Sequence, residues 1–273
     1  MNKVWFITGC STGFGRYLAV EALAKGYNVV VAARNTNDVA DSVANYPQSS
    51  LVVKLDVTVA DQIKEAVAAT IAKFGQIDVL VNNAGMGITG PIEDTPTDEM
   101  RKVFETNFFG AIDMMKAVLP QMRKQQSGTI INVTSIAGYM GLPYRGVYSA
   151  TKGALDLVSE AARMEVKEFG VNIVTIAPGD VATNIAAGRY HTPVFDNSAY
   201  KEKYQMNLDL MDSHVDSGMD PIKMAEKIHQ IINLKQPNVH YRVGAFMEKF
   251  STLLKKILPS KRYEKLLMNH YKL

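Results

Sequence analysis

Six short apolar runs, spaced along the first two thirds of the chain and separated by longer helical patterns, constrain the fold more than any other feature. They fall at residues 4–8, 29–33, 51–55, 79–82, 129–134 and 172–176 and are rich in Val, Ile, Leu and Ala. None alternates polar with apolar, as a strand with one wet face would. Runs that are apolar on both faces are what a parallel sheet covered by helices requires. Segments 15–25, 59–74, 96–126 and 148–169 carry the helical patterns between and after them. Thr95-Pro96-Thr97-Asp98 predicts the start of the third, with a threonine cap, proline at the first helical position and an acid in the first turn. This βαβ rhythm predicts an α/β fold, a doubly wound, mostly parallel sheet with right-handed crossovers and helices on both faces. A last run at 240–243 brings the expected count to about seven strands.

Composition narrows the classes. With 273 residues, 47% of them hydrophobic, the chain can bury a sizeable core, and no linker, repeat or low-complexity tract divides it, so 1–273 is expected as one domain. A net charge of +3 is too mild for nucleic acid, which needs a concentrated basic face. The single cysteine, Cys10, excludes an intrachain disulfide and fits a reducing compartment. The five histidines are scattered without metal-ligand spacing, so no metal is expected. Met1-Asn2-Lys3 runs into an apolar stretch too short for a signal peptide, and no run is long enough to span a bilayer; the expected location is the cytosol.

The loop after the first run is the first chemical signal. Thr8-Gly9-Cys10-Ser11-Thr12-Gly13-Phe14-Gly15 joins a strand to a helix. Gly9 permits a tight turn, Gly13 a close backbone approach to a pyrophosphate, and Gly15 close packing of helix on sheet. The free N–H groups and the positive helix end would then face phosphates, with Phe14 in the same turn. Glycines also mark ordinary turns; their place between strand 1 and helix 1 favours a nucleotide, in a Rossmann arrangement. The second run ends Ala33-Arg34-Asn35 with no acid to bind a ribose 2′-hydroxyl. Arg34 is either a solvated surface arginine or a forked cation for a 2′-phosphate, helped by Ser11 and Thr12; the absence of the acid favours NADP(H) over NAD(H). Asp56-Val57 and Asn82-Asn83-Ala84-Gly85 end the third and fourth runs, where ligands bind in open α/β sheets. Asp56 could accept from the adenine, and Asn83, Ala84 and Gly85 could line the adenosine; singly, each also reads as turn chemistry.

In order along the chain, these marks resemble the short-chain dehydrogenase/reductase family. Asn107 within the long helix, Ser135 after the fifth strand, Tyr148-Ser149-Ala150-Thr151-Lys152 opening the next helix, and Pro178-Gly179 with Val181 and Thr183 after the sixth complete the pattern over residues 3–185. The resemblance implies an NADP(H)-dependent oxidoreductase interconverting a carbonyl and an alcohol, of the carbonyl, 17β-hydroxysteroid or retinol dehydrogenase kind. Tyr148 and Lys152 are one helical turn apart, so an ammonium can lower the pKa of a phenol that is otherwise near 10. Tyr148 would be proton donor or acceptor and Lys152 its tuner. By the resemblance, Lys152 also grips the nicotinamide ribose, Ser135 holds the substrate oxygen, Asn107 holds a water for a proton relay, and Pro178, Gly179, Val181 and Thr183 hold the nicotinamide. It further implies a homodimer or homotetramer built on the helices at 96–126 and 148–169. A non-catalytic NADP-binding regulator on the same scaffold is the alternative, and an epimerase would need a larger C-terminal domain.

Beyond Thr183 the pattern is looser. Residues 186–218 read equally as a lid carrying Tyr190, Phe195, Tyr200 and Tyr204 or as a loop-helix insertion with surface aromatics. Met86, Met140 and Tyr144 suggest an apolar pocket and a hydrophobic substrate. Asp220-Pro221 caps a helix to about Leu234. Phe246, Phe250, Leu253, Leu254, Ile257 and Leu258 then repeat at helical spacing, so 244–273 is expected as a helical extension. With Lys261, Arg262 and Lys265 following, this stripe could touch a membrane surface, but packing against the parent domain is the expected role.

Overall fold

The structure is a computed structural model that describes residues 2–179, 188–194, 197–216 and 219–273. Seven strands form one sheet: β1 (Val4–Ile7), β2 (Asn28–Ala33), β3 (Ser50–Lys54), β4 (Val79–Asn82), β5 (Gly128–Val133), β6 (Val171–Pro178) and β7 (His240–Val243), in the order β3-β2-β1-β4-β5-β6-β7. Every neighbouring pair is parallel. The order reverses between β1 and β4, and a crevice opens there at the carboxyl ends of the strands.

The helices around it are α1 (Gly13–Ala24), α2 (Ala60–Phe74), α3 (Thr97–Phe104), α4 (Gly110–Gln125), α5 (Gly146–Glu165), α6 (Lys201–Asp216), α7 (Pro221–Ile232), α8 (Phe246–Ile257) and α9 (Ser260–His270). Strand alternation splits the core into two layers. Trp5, Ile7, Val29 and Val31 face α1 and α7, meeting Leu18, Leu23, Ile228 and Ile231. Phe6, Val30, Ala32 and Leu80 face the other way, meeting Val67, Met114, Val118 and Met122. Each fully buried side chain of this size contributes about 1.5–3 kcal/mol against exposure.

Two local expectations shift. The third helical pattern is not one helix: α3 and α4 are joined by a π turn at Glu105–Phe109, and Pro120 lies inside α4. Its start also moves: Pro96, not Thr95, is the cap residue, and the Thr95 hydroxyl donates to the Pro91 carbonyl at 2.6 Å instead of capping. Asp220 does cap α7, accepting from the Ile222 N–H at 2.9 Å with Pro221 in the first turn.

The C-terminal helices cross the carboxyl ends of β5 and β6. Tyr263, Leu254, Leu258 and Leu267 pack with Ile136, Met140 and Ala177 in a third cluster. The expected packing of the whole α8 stripe is corrected here: Leu254 and Leu258 face inward, while Phe246, Leu253 and Ile257 face solvent.

Candidate active site

The glycine loop is held shut from β4. Gly9 has φ of +69°, open to glycine at little cost, and a Cβ on it would stand 2.8 Å from the Ala84 Cα. A Cβ on Gly15 would meet the Gly9 carbonyl and the Asn83 amide, each at 2.4 Å. Gly15 thus serves loop closure rather than helix-on-sheet packing. The buried Thr8 hydroxyl accepts from the Asn83 and Ala84 N–H groups, both at 3.0 Å. The Asn83 side chain donates to the carbonyls of Thr8 (2.9 Å) and Gly9 (3.0 Å). Its amide is therefore committed to the loop.

The loop leaves donors free. Thr12 caps α1 by position but its side chain makes no cap hydrogen bond, and no acid stands in the first turn. The first N–H groups of α1 therefore lack a side-chain acceptor. Arg34 is exposed at the end of β2, while Arg16 of α1 is occupied by Asp41 and the Asp38 carbonyl. Asp56 closes its own turn, one carboxylate oxygen accepting from the Thr58 N–H (3.0 Å) and hydroxyl (2.7 Å). Val57 packs on Gly110, where a Cβ would lie 2.7 Å away. These features, a glycine cradle, an uncapped helix start and an uncommitted arginine, fit a phosphorylated dinucleotide.

The catalytic pattern assembles on the other side of the crevice. Tyr148 lies in the first turns of α5 and Lys152 one turn on. The Lys152 ammonium is buried, donates to the Val133 carbonyl at 2.9 Å, and stands 5.9 Å from the centre of the Tyr148 ring. Burial pulls its pKa below the usual lysine range, and negative charge on Tyr148 opposes that. Arg145 stands 5.5 Å from the same ring centre, a second cation that the sequence pattern did not single out. Ser135 caps the short 3₁₀ turn Ile136–Tyr139 and accepts from the Ala137 N–H at 3.1 Å, which leaves its own hydroxyl proton to donate. Close contact of Gly138 with Gly153 seats that turn against α5: a Cβ on Gly138 would lie 3.0 Å from the Gly153 nitrogen.

Asn107 sits in the π turn and is 1% exposed. Its side chain accepts from the Met86 N–H (2.8 Å) and donates to the Met86 carbonyl (2.9 Å) and the Thr151 hydroxyl (3.2 Å). Those bonds tie the β4 loop to α5, so its amide braces the site. A Cβ on Gly85 would lie 3.3 Å from the Asn107 Oδ1 and 3.6 Å from the Lys152 Nζ, so the three are brought together.

Pro178 ends β6, and the Gly179 N–H donates to the Val243 carbonyl at 2.8 Å. Val181 and Thr183 lie outside the described residues, as does Phe195. Of the segment over 186–218, the described tyrosines are engaged with residues 88–93. Tyr190 and His191 pair with Ile88 and Thr89, the buried Tyr204 donates to the Thr89 carbonyl at 2.9 Å, and Tyr200 donates to Glu93 at 2.7 Å. These contacts seat the described part of the segment on the stretch after β4.

A cavity of about 860 Å³ opens between Ser135 and the C-terminal helices. Arg145, Arg189, Met140, Leu142, Met211 and Leu254 are among its lining residues; Met86 and Tyr144 are not. Cys10 is fully buried, donates to the Ile7 carbonyl, and has its thiol pushed up to about 12 by burial, so it is a packed side chain and not a nucleophile. Away from the site, His240 on β7 lies 3.3 Å from Asp156 and 3.0 Å from Glu160 of α5, a grouping that spans two elements and was invisible in histidine spacing alone.

The fold and these motifs define a dinucleotide-binding oxidoreductase. The family model for short chain dehydrogenase matches residues 3–193, and the chain belongs to that family. It is 35% identical to the 3-ketodihydrosphingosine reductase of Bacteroides thetaiotaomicron, over 94% of this chain and 93% of that one. It is 31% identical to dehydrogenase/reductase SDR family member 7B of Rattus norvegicus, over 87% and 73%. Among solved structures, a short-chain dehydrogenase from Streptomyces avermitilis superposes with a TM-score of 0.86 at 34% identity, covering 100% of this chain and 98% of that one. ElxO with NADP bound superposes at 0.72 with 28% identity, covering 89% and 96%.

Proposed function

We propose that this short-chain dehydrogenase is an NADP(H)-dependent reductase of a hydrophobic ketone or aldehyde, run in reverse as an alcohol dehydrogenase. The observation that carries it is the buried Lys152 ammonium, fixed by the Val133 carbonyl beside the Tyr148 ring. Tyr148 gives its phenolic proton to the carbonyl oxygen as the alcohol forms and takes it back in the reverse direction. Lys152 and Arg145 stabilise the phenolate that remains. Ser135 donates to the same oxygen and holds it toward Tyr148. Asn107 acts through Met86 and Thr151, keeping the β4 loop against α5. The bound nicotinamide supplies the hydride to the carbonyl carbon.

Ser11, Thr12, Gly13 and the first N–H groups of α1 would hold the pyrophosphate, and Arg34 the 2′-phosphate, with Asp56, Val57, Ala84 and Gly85 bounding the adenosine. Pro178 and Gly179 would bound the nicotinamide, with Val181 and Thr183 carried over from the family pattern. Relatives of this fold are solved with either dinucleotide, so the NADP preference rests on Arg34 and the missing acid after β2.

The cavity lies near the top of the roughly 300–1,000 Å³ usual for small-molecule sites; four Met and four Leu line it together with Arg145, Arg189, Asp220, Lys223, Glu248 and His270, which suits a long hydrocarbon chain that carries a polar group. A relative named for 3-ketodihydrosphingosine agrees with that class. The cytosol, which keeps a lone thiol reduced, is the expected setting. Exposed Phe109 on the π turn and Leu157 and Met164 on α5 favour a homo-oligomer through these long helices.

The reading is tested by following NADPH and NADH absorbance with long- and short-chain ketones. Consumption of NADPH with a long-chain ketone is expected. Tight NADPH binding without consumption across the panel would instead support the non-catalytic regulator.

A further inference from the structure

The outer face of α8 is apolar without a partner among the described residues. Phe246, Phe250, Leu253 and Ile257 recur at spacings of four, three and four residues, which aligns them on one side of a helix. Phe246 is 72% exposed, Leu253 47% and Ile257 63%. The rings of Phe246 and Phe250 stack 5.6 Å apart, so the patch is continuous. Lys249 and Lys256, both exposed, fall along one edge of this stripe. The inward side of the same helix is already satisfied: Leu254 and Leu258 join the third core cluster, and Thr252 is buried against Arg242.

Charge selects the occupant. Residues 244–273 hold seven Lys or Arg against two Glu, a net of +5, while the whole chain carries only +3. The remaining 243 residues are therefore net negative by two. No helix among the described residues is long and apolar enough to cross a membrane. An apolar stripe flanked by lysines, on a helix that lies along the surface, matches an interface of hydrocarbon beneath anionic headgroups. A second copy fits poorly, because a two-fold contact through the stripe would bring the basic segment of one copy against the same segment of the other.

We infer that α8, with the basic residues of α9, docks this protein on the surface of an anionic lipid bilayer. The cavity is placed to use that contact. Met247 and Leu266 line it and are themselves 66% and 43% exposed, so its rim opens to solvent beside the helix that carries the stripe. Docking would turn the rim toward the membrane, where a long-chain ketone dissolves. This last clause rests on the proposed reductase reading; the docking itself does not.

The test is flotation of the full chain with phosphatidylcholine vesicles, with and without phosphatidylglycerol. Binding at least tenfold stronger to the anionic vesicles, and weakened by salt, is expected. Phe246→Ser with Ile257→Ser should reduce it by about a hundredfold, and Lys249→Gln with Lys256→Gln by about tenfold. Circular dichroism and melting of each variant, unchanged from wild type, show that the fold persists. Absence of flotation, equal binding to both vesicles, or full binding by the serine variant would overturn the inference. So would a dimer in sedimentation velocity that the serine variant abolishes, since the stripe would then face a second copy. These readouts need no turnover, so failure of docking and failure of the reductase reading are separable.

Discussion

Which side chains are committed to the fold, and which are free, decides what the crevice can bind. Asn83 and Asn107 occupy positions that suggest ligand contact, yet both spend their amides on backbone groups. Arg34 is exposed while Arg16 on α1 is paired, and that difference supports assigning the 2′-phosphate to Arg34. Arg34→Asp should weaken NADP(H) binding at least tenfold, about 1.4 kcal/mol, and leave NAD(H) equal or improved. Fluorescence titration with both dinucleotides measures this, and equal losses would remove Arg34 from the role. The spacing of Tyr148 and Lys152 was readable because one helical turn is a local rule. Arg145 over the Tyr148 ring and Thr151 under Asn107 were not: their roles come from the third dimension, where nothing in the sequence marks a partner.

At the element scale, the strands were legible because burial on both faces leaves a run with no polar interruption. Each strand of the seven-stranded sheet lies within two residues of its expected bounds, and β4 and β7 coincide. The long helix was legible in extent but not in its π turn, since a shift in hydrogen-bond step leaves no periodic mark over five residues. Helix α6 and the short pair of Ile88–Thr89 with Tyr190–His191 were missed because their order depends on docking, not on amphipathic period. The loop between β1 and α1 shows how elements cooperate. Thr8→Val would remove the hydroxyl that receives two N–H groups from the β4 loop. Urea unfolding should show a loss of about 1–3 kcal/mol, with weaker dinucleotide binding as the loop relaxes. A variant as stable as wild type, with unchanged binding, would mean that the Thr8 hydroxyl does not hold the loop.

For the whole molecule, the two-layer core makes stability pH-dependent in a definite direction. His229 packs against Trp5 (4.9 Å between ring centres) and Tyr27 (5.8 Å), and burial holds its pKa below the ordinary histidine value. The folded state therefore resists protonation that the unfolded chain accepts. Its contribution is complete above about pH 6.5 and is lost as pH falls below that. Melting temperature should drop between about pH 7.5 and about pH 5.5, and His229→Phe should flatten the drop; an equal slope in the variant would place the acid sensitivity elsewhere. What the sequence conveyed least was the fate of the C-terminal third, because an amphipathic period tells which residues share a face and not what that face meets. The most direct test of the central claim uses NADPH deuterated at the transferable position, with a long-chain ketone and mass spectrometry of the alcohol. The account predicts label on the carbinol carbon with wild type, and turnover lowered at least a thousandfold in Tyr148→Phe while NADPH still binds with wild-type affinity. Labelled alcohol formed by Tyr148→Phe at a near-normal rate would contradict it.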